Sequence, residues 1–258
     1  MANNLKSRMH NGEQLLGFWL ELFSPMAAEV MAEAGYNCAM LDMEHGPGGF
    51  LDCISVMQAM KGTDCVPLVR VPWNDHVAIK RSLDAGARGI MVPSVDSAEQ
   101  AHQAVAACRY APGGRRGNAA SIIRASGYGV NAAEYLNTIQ DELLVICQIE
   151  TRKAVESAAA IADVEGVDML FVGPSDLSTE MGLIGQVDHP QVHEAIAKVE
   201  AAAKSAGKLI GHIPTPKRPV KLLVESGASL ILTDADVALL RNGARNSIEA
   251  FRSLTGTK

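Results

Sequence analysis

Short apolar runs of β type alternate along the chain with Ala-rich stretches of helical spacing, the pattern made by parallel strands joined through crossover helices. Eight such runs occur: LLGFWLEL near 15–22, CAMLDM near 38–43, VPLVRV near 66–71, GIMVP near 89–93, LLVICQIE near 143–150, MLFVG near 169–173, KLIGHI near 208–213 and SLILTD near 229–234. Between them lie the helix candidates SPMAAEVMAEAG, NDHVAIKRSLDAG, SAEQAHQAVAACRY, RKAVESAAAIADV, HPQVHEAIAKVEAAAKSAG and TPKRPVKLLVESG. Several open on Ser, Asn, Asp or Thr followed by Pro or an acid, and several close on Gly, which is the start and stop chemistry of helices. GIMVP and MLFVG are continuously apolar, as strands buried on both faces must be. A barrel and a doubly wound sheet both fit this alternation. Eight βα units with no nucleotide fingerprint after the first strand favour the barrel, so the expected fold is α/β, a single (β/α)8 TIM barrel over residues 1–258. One connection is out of pattern: residues 111–142, APGGRRGNAASIIRASGYGVNAAEYLNTIQDE, are long and rich in Gly and Arg, which marks a functional or interfacial segment.

A chain of 258 residues buries a sizeable core without disulfides, and 48% hydrophobic with 20% charged residues is a globular composition. The net charge of -6, with no long basic runs, argues against nucleic acid as a partner. No stretch is apolar enough to span a membrane, and MANNLKSRMHNGEQLL lacks the h-region of a signal peptide, so a cytoplasmic enzyme is the simplest reading. Cys38, Cys53, Cys65, Cys108 and Cys147 are scattered and form no CxxC pair, which fits reduced packing residues rather than a zinc site or disulfide framework.

In such a barrel the active site lies at the carboxyl ends of the strands, so polar residues that close apolar strands are the first candidates. Trp19 and Glu21 end the first strand, Asp42-Met43-Glu44-His45-Gly46-Pro47 follows the second, Arg70 ends the third, Gln148 and Glu150 the fifth, and Gly173-Pro174-Ser175-Asp176 opens from the sixth. Glu150 and Asp176, from neighbouring strands, form an oxygen-ligand pair suited to a hard divalent ion such as magnesium or manganese; the alternative is a pair of solvated acids, with Asp176 as a helix cap. His45 is a candidate general base, its reference pKa near ~6.5 allowing it to take and return a proton, with Asp42 placed to orient the ring. Arg70 must either await an anionic substrate or pair with Glu44 or Asp42. Gly173–Asp176 can present backbone N–H groups to a carboxylate, and Gly113-Gly114-Arg115-Arg116-Gly117 can do so for a phosphate or can be a plain exposed loop. No lysine closes a strand in a Schiff-base position, which argues against imine chemistry.

In order and spacing, SPMAAEVMAEAGY, LDMEHGP, PLVRVPWND, IKRSLDAGARGIMVPSVDSAEQA, QIET and LFVGPSDLSTEMG cover nearly the whole chain. This combination resembles the HpcH/HpaI aldolases, class II pyruvate aldolases that include the 4-hydroxy-2-oxoheptanedioate and 2-dehydro-3-deoxyglucarate enzymes. The resemblance implies a barrel of the phosphoenolpyruvate/pyruvate type and a metal-dependent, reversible cleavage of a 4-hydroxy-2-oxo acid to pyruvate and an aldehyde. It implies that Glu150 and Asp176 hold Mg2+, Mn2+ or Co2+ with no organic cofactor, that His45 is the acid/base and that Arg70 stabilises the developing enolate. Gln148 and the Ser175-Asp176 backbone would contact the pyruvate carboxylate, and Trp19 would line the aldehyde pocket. An acid matching Asp84 raises the basicity of the histidine in the family; here Asp84 follows a crossover helix, so it belongs at the opposite end of its own barrel and reaches a bowl only across a subunit interface. The resemblance also implies a homohexamer of dimers that exchange C-terminal helices.

Two further readings stand beside the aldolase: a metal-dependent oxaloacetate decarboxylase, which needs the same enolate stabilisation, and a non-catalytic barrel that binds a small carboxylate. The sequence departs from the heptanedioate enzymes in IIRASGYGVNAAEYL, which carries Gly127-Tyr128-Gly129 and no tryptophan after RAS. The aldehyde partner is the half of the reaction that this leaves open.

Overall fold

The computed structural model describes residues 4–256. Eight strands, β1 Leu15–Leu20, β2 Cys38–Asp42, β3 Val66–Arg70, β4 Gly89–Val92, β5 Leu144–Ile149, β6 Met169–Val172, β7 Leu209–His212 and β8 Leu230–Ala235, pair in parallel in sequence order. β8 then pairs with β1, which closes the barrel. Every apolar run of the sequence is one of these strands, and each pairs through registers such as Trp19 with Met40 and Asp42 with Arg70.

The alternation of side chains divides each strand between two cores. Leu15, Trp19, Met40, Leu68, Met91, Ile146, Met169, Phe171 and Leu232 fill the barrel interior. Phe18, Leu20, Leu41, Val69, Ile90, Cys147, Leu170 and Val172 face the surrounding helices. Because these large residues crowd the interior, some inward positions must lack a side chain: a Cβ on Gly17 would lie 2.5 Å from Cys38 Sγ and 2.6 Å from Leu232 Cδ2. All five cysteines are buried, and burial pushes the thiols of Cys53, Cys65, Cys108 and Cys147 up to about 12, as packing residues require.

Local chemistry sets the helix ends. Ser24, Asp75, Ser97 and Thr151 each accept a first-turn N–H, and Gly86 terminates the helix His76–Ala85 in the left-handed conformation at φ 117°. Two expected helices are shorter than their sequence pattern: RKAVESAAAIADV breaks at Ser157 into Arg152–Glu156 and Ala158–Ala162, and the TPKRPVKLLVESG stretch is helical over Val220–Glu225. The segment 111–142 is not a bare loop, since it contains a 3-10 turn at Arg124–Ser126 and the helix Ala132–Glu142. Phe50–Ala59 and Asp236–Thr255 add helices that the spacing alone did not show, and the helix expected after β6 is Pro174–Glu180, with Gly173 at its N-cap and Asp176 within its first turn.

The short helix Leu5–His10 plugs the amino-terminal mouth of the barrel: Leu5 and Met9 join the interior cluster, and Lys6 Nζ lies 2.8 Å from buried Asp168. The polar strand ends collect at the opposite mouth. No helix among the described residues is long and apolar enough to cross a membrane. Gly17→Ala is expected to lower the unfolding free energy by about 1–3 kcal/mol through overpacking against Cys38 and Leu232, seen as a reduced thermal midpoint with unchanged far-UV signal.

Candidate active site

Parity along each strand decides which polar groups enter the open mouth. Trp19 points inward on β1, so Glu21 follows it two residues on; Asp42 and Arg70 end β2 and β3 on the same side, and Gln148 and Glu150 do so on β5. Arg70 is the organising cation. Its Nε donates to Asp42 Oδ1 at 2.8 Å, its Nη2 donates to Asp42 Oδ2 at 2.5 Å, and its Cζ lies 4.4 Å over the Trp19 ring. Nη1 sits 3.0 Å from Glu44 Oε2, a buried oxygen with no aligned hydrogen bond. Of the alternatives read from the sequence, Arg70 therefore takes the paired one, with both Asp42 and Glu44.

This pairing corrects the expected role of Asp42. Its carboxylate is committed to Arg70 and to the backbone N–H groups of Glu44 and His45, at 3.0 and 3.4 Å, so it shapes the turn and the guanidinium rather than orienting the imidazole. Burial opposes its charge, but Arg70 outweighs that and holds the group below the ordinary carboxylate range. His45 stands on the rim with its side chain 59% exposed and its Nε2 3.9 Å from Glu44 Oε2. Trp19 is the buried floor beneath Arg70, edge-on to Phe171, more than an open wall of a pocket.

Glu150 is held from both sides. Oε1 accepts from the Ser94 N–H at 2.7 Å and the Ser94 hydroxyl at 3.0 Å, and Oε2 accepts from Gln148 Nε2 at 2.6 Å. Ser94 makes both contacts because its backbone is left-handed, at φ 51°, an uncommon conformation for a residue with a side chain. Gln148 Oε1 is buried without a partner, and the amide keeps one further N–H free for a ligand. Burial pushes the Glu150 carboxyl up to about 7, with Ser94 opposing and the charges of Glu44 and Asp176 adding to the rise. Glu44 is raised for the same reason, burial first and Asp42 and Asp176 after it, with Arg70 opposing. Glu44, Glu150 and Asp176 thus share one field.

Asp176 is exposed in the first turn of Pro174–Glu180, and its N–H and that of Ser175 are unclaimed by the helix. Gly173 makes room beside them, since a Cβ there would lie 2.8 Å from both Gln148 Nε2 and Glu150 Oε2. Across the mouth, burial, a hydrogen bond to Asp42 and the nearby Asp236 push Glu21 up to about 7 against the pull of Arg70. Asp236 fixes that corner by accepting from the N–H groups of Glu21 and Leu22 at 2.9 and 3.1 Å.

Asp84 stands apart from all of this. It lies near the carboxyl end of His76–Ala85, at the plugged mouth, where Arg116 Nη2 donates to it at 2.8 Å; in its own chain it does not meet His45. Arg116 is buried, faces the rings of Tyr110 and Tyr135, and donates to the Tyr135 hydroxyl. Of the two arginines in the Gly113–Gly117 turn, that one is structural and does not cradle a phosphate.

Sequence reasoning placed Glu21 and Glu44 among the strand-end groups without giving either a role in the chemistry, Glu44 only as a partner for Arg70, and left out Ser94. Glu21 was legible from strand parity and Glu44 from its place in LDMEHGP, whereas nothing local marks Ser94, whose dihedral is set by the β4–β5 contact.

A parallel barrel with acids, a stacked guanidinium and an exposed imidazole at the carboxyl ends of its strands is the arrangement of a barrel enzyme. The HpcH/HpaI aldolase/citrate lyase profile matches residues 15–243, and the chain belongs to that family, among the carbon–carbon lyases. It is 38% identical over 244 residues to the 4-hydroxy-2-oxo-heptane-1,7-dioate aldolase of Salmonella typhimurium, covering 95% of this chain and 92% of that one. An HpcH/HpaI aldolase/citrate lyase family protein from Burkholderia cenocepacia superposes with a TM-score of 0.92 at 38% identity over 97% of this chain and 99% of the other. The citrate synthase SbnG superposes at 0.87 with 26% identity over 99% and 100% of the two chains.

Glu150 carries a pKa above its unfolded value of 4.5, so the stability it contributes below that pH is lost as pH rises toward about 7. Glu150→Gln, whose amide can pair with a turned Gln148, is expected to raise the thermal midpoint of chelator-treated protein at pH 8 and to flatten its fall between pH 4.5 and 7.

Proposed function

We propose that the protein is a divalent-metal-dependent aldolase that reversibly cleaves a 4-hydroxy-2-oxo acid to pyruvate and an aldehyde. The observation that carries this reading is the buried Glu150, sharing a field with Glu44 and Asp176 beside the space left by Gly173. The donor set fits a hard cation. Glu150 and Asp176 offer carboxylate oxygens without His or Cys, Glu150 is raised by burial with the charges of Glu44 and Asp176 adding to it, and Gln148 Oε1 is a buried acceptor in need of a partner. Among the described residues no three His, Cys, Asp or Glu side chains converge on one point, so Glu150 and Asp176 would supply part of a coordination shell and leave the rest to water and substrate. Bound there, Mg2+, Mn2+ or Co2+ would polarise the 2-oxo acid and lower the cost of negative charge on its keto oxygen.

The chain's own groups account for the remaining steps. The first-turn N–H groups of Ser175 and Asp176, with the free N–H of Gln148, hold the substrate carboxylate. Arg70, fixed by Asp42 and Trp19, presents preorganised positive charge to the oxygen on which the enolate develops. The His45 imidazole, exposed on the rim beside Glu44, takes the proton of the C4 hydroxyl as the C3–C4 bond breaks. The aldehyde leaves, and the bond pair stays with the three-carbon enolate until C3 is protonated.

The protein works as a homo-oligomer in this reading. The helix Asp236–Thr255 runs 20 residues yet buries only Asp236, leaving Leu240 67%, Phe251 62% and Leu254 87% exposed. Val30 of the helix Pro25–Glu33, 68% exposed, lines an apolar groove with Leu239 and Leu240 of this helix, and such a face calls for a partner of the same kind. Leu240→Asp is expected to reduce the assembly to a smaller species by light scattering, with the monomer spectrum retained.

Pyruvate release from a 4-hydroxy-2-oxo acid should vanish on chelation and return with Mn2+, Mg2+ or Co2+; full activity in chelated protein would overturn the reading. His45→Ala should lower cleavage by roughly 10²–10⁴-fold. The same variant should still decarboxylate oxaloacetate, which has no C4 hydroxyl proton to remove.

A further inference from the structure

The acceptor half of the bowl has a charge pattern of its own. In a closed barrel of eight consecutive strands, β1 stands across from β5. With the pyruvate end anchored at β5 and β6, an acceptor aldehyde extends over His45 and Arg70 toward β1 and β8. There the inward groups are Trp19 and Glu21, with Ala235 and Ile213 packed against the inner cluster at its edge. Asp42, Arg70 and Asp236 act on Glu21, Asp42 also through a hydrogen bond between the two carboxyls. Only one of these is a cation, and its fork is already taken by Asp42 and faced by Glu44. The backbone of this rim is held in place, since Asp236 accepts from the N–H groups of both Glu21 and Leu22.

We propose that Glu21 is the specificity-determining residue of the acceptor side, and that the protein takes an uncharged, hydroxyl-bearing aldehyde in preference to one carrying a second carboxylate. The inference rests on the aldolase reading above. A carboxylate brought to this corner meets the hydrogen-bonded Glu21–Asp42 pair, which keeps a net negative charge even while it shares a proton, and Asp236 beside it, while Arg70 is engaged by Asp42 and Glu44; misplaced like charge is a strong means of rejection. A hydroxyl suits the same corner because it both donates and accepts. The Salmonella relative is by its name an aldolase of a dioate, whose substrate carries that second carboxylate. The two proteins therefore differ in acceptor class while sharing the pyruvate end.

The test uses the full chain with Mn2+ and pyruvate, comparing condensation onto glyceraldehyde and onto succinic semialdehyde. The wild type should favour glyceraldehyde by about tenfold or more in kcat/KM, which corresponds to ~1.4 kcal/mol. Glu21→Gln and Glu21→Ser should shrink that ratio several-fold, with the change residing in the KM of succinic semialdehyde. A wild-type preference for succinic semialdehyde, or a ratio that neither variant moves, would overturn the inference. Exchange of the pyruvate methyl protons in D2O reports enolisation without any acceptor. If wild-type protein shows no exchange and condenses neither aldehyde, the aldolase reading fails and this inference falls with it; exchange with an unmoved ratio overturns the inference alone.

Discussion

Arg70, forked onto Asp42 and stacked over Trp19, ties together the ends of three adjacent strands. A guanidinium is one of the costlier groups to bury, and it is tolerated here because a carboxylate saturates one edge while an indole face replaces water on the other. Removing either partner would leave a buried charge uncompensated, so the three side chains behave as one unit. The consequence for chemistry is a positive charge whose direction is fixed before any substrate arrives.

Around that cation the mouth of the barrel collects Glu21, Asp42, Glu44, Glu150 and Asp176. Such an excess of acid works against folding, since burial and mutual repulsion raise Glu21 and Glu150 alike. Structure has been arranged to accept that cost: Ser94 adopts a left-handed backbone to give two donors to one carboxylate oxygen, and Gly173 gives up its side chain so that Gln148 and Glu150 can approach. Strain and uncompensated charge at one place are the marks of a site built for a ligand rather than for stability. On the aldolase reading, a cation relieves one side of this field and the acceptor must be compatible with the other.

The rest of the barrel isolates that mouth. Leu5–His10 seals the opposite end, and Arg116 pins Asp84 there among tyrosines, so in its own chain this acid cannot assist His45. The apolar face of Asp236–Thr255 belongs to the same economy of surfaces, because a 20-residue helix with one buried residue leaves nearly its whole length unpacked in its own chain. A role for Asp84 in catalysis, like a role for that helix, would exist only in an assembly.

Read alone, the chain determines the eight strands, because a strand buried on both faces leaves an unbroken apolar run, and it determines which strands end in polar groups. It also carries the family motifs, and with them Glu150, Asp176, His45 and Arg70 as candidates. Strand parity even contained Glu21, two residues beyond the inward Trp19. What only the tertiary structure decided is how the polar groups are paired. The choice of Asp42 for Arg70 over the imidazole, the grip of Ser94 on Glu150 and the retreat of Asp84 to the far mouth all depend on contacts between residues distant in sequence. Local spacing encodes which face a side chain occupies, but the partner it meets there comes from another strand, and that is set only when the barrel closes.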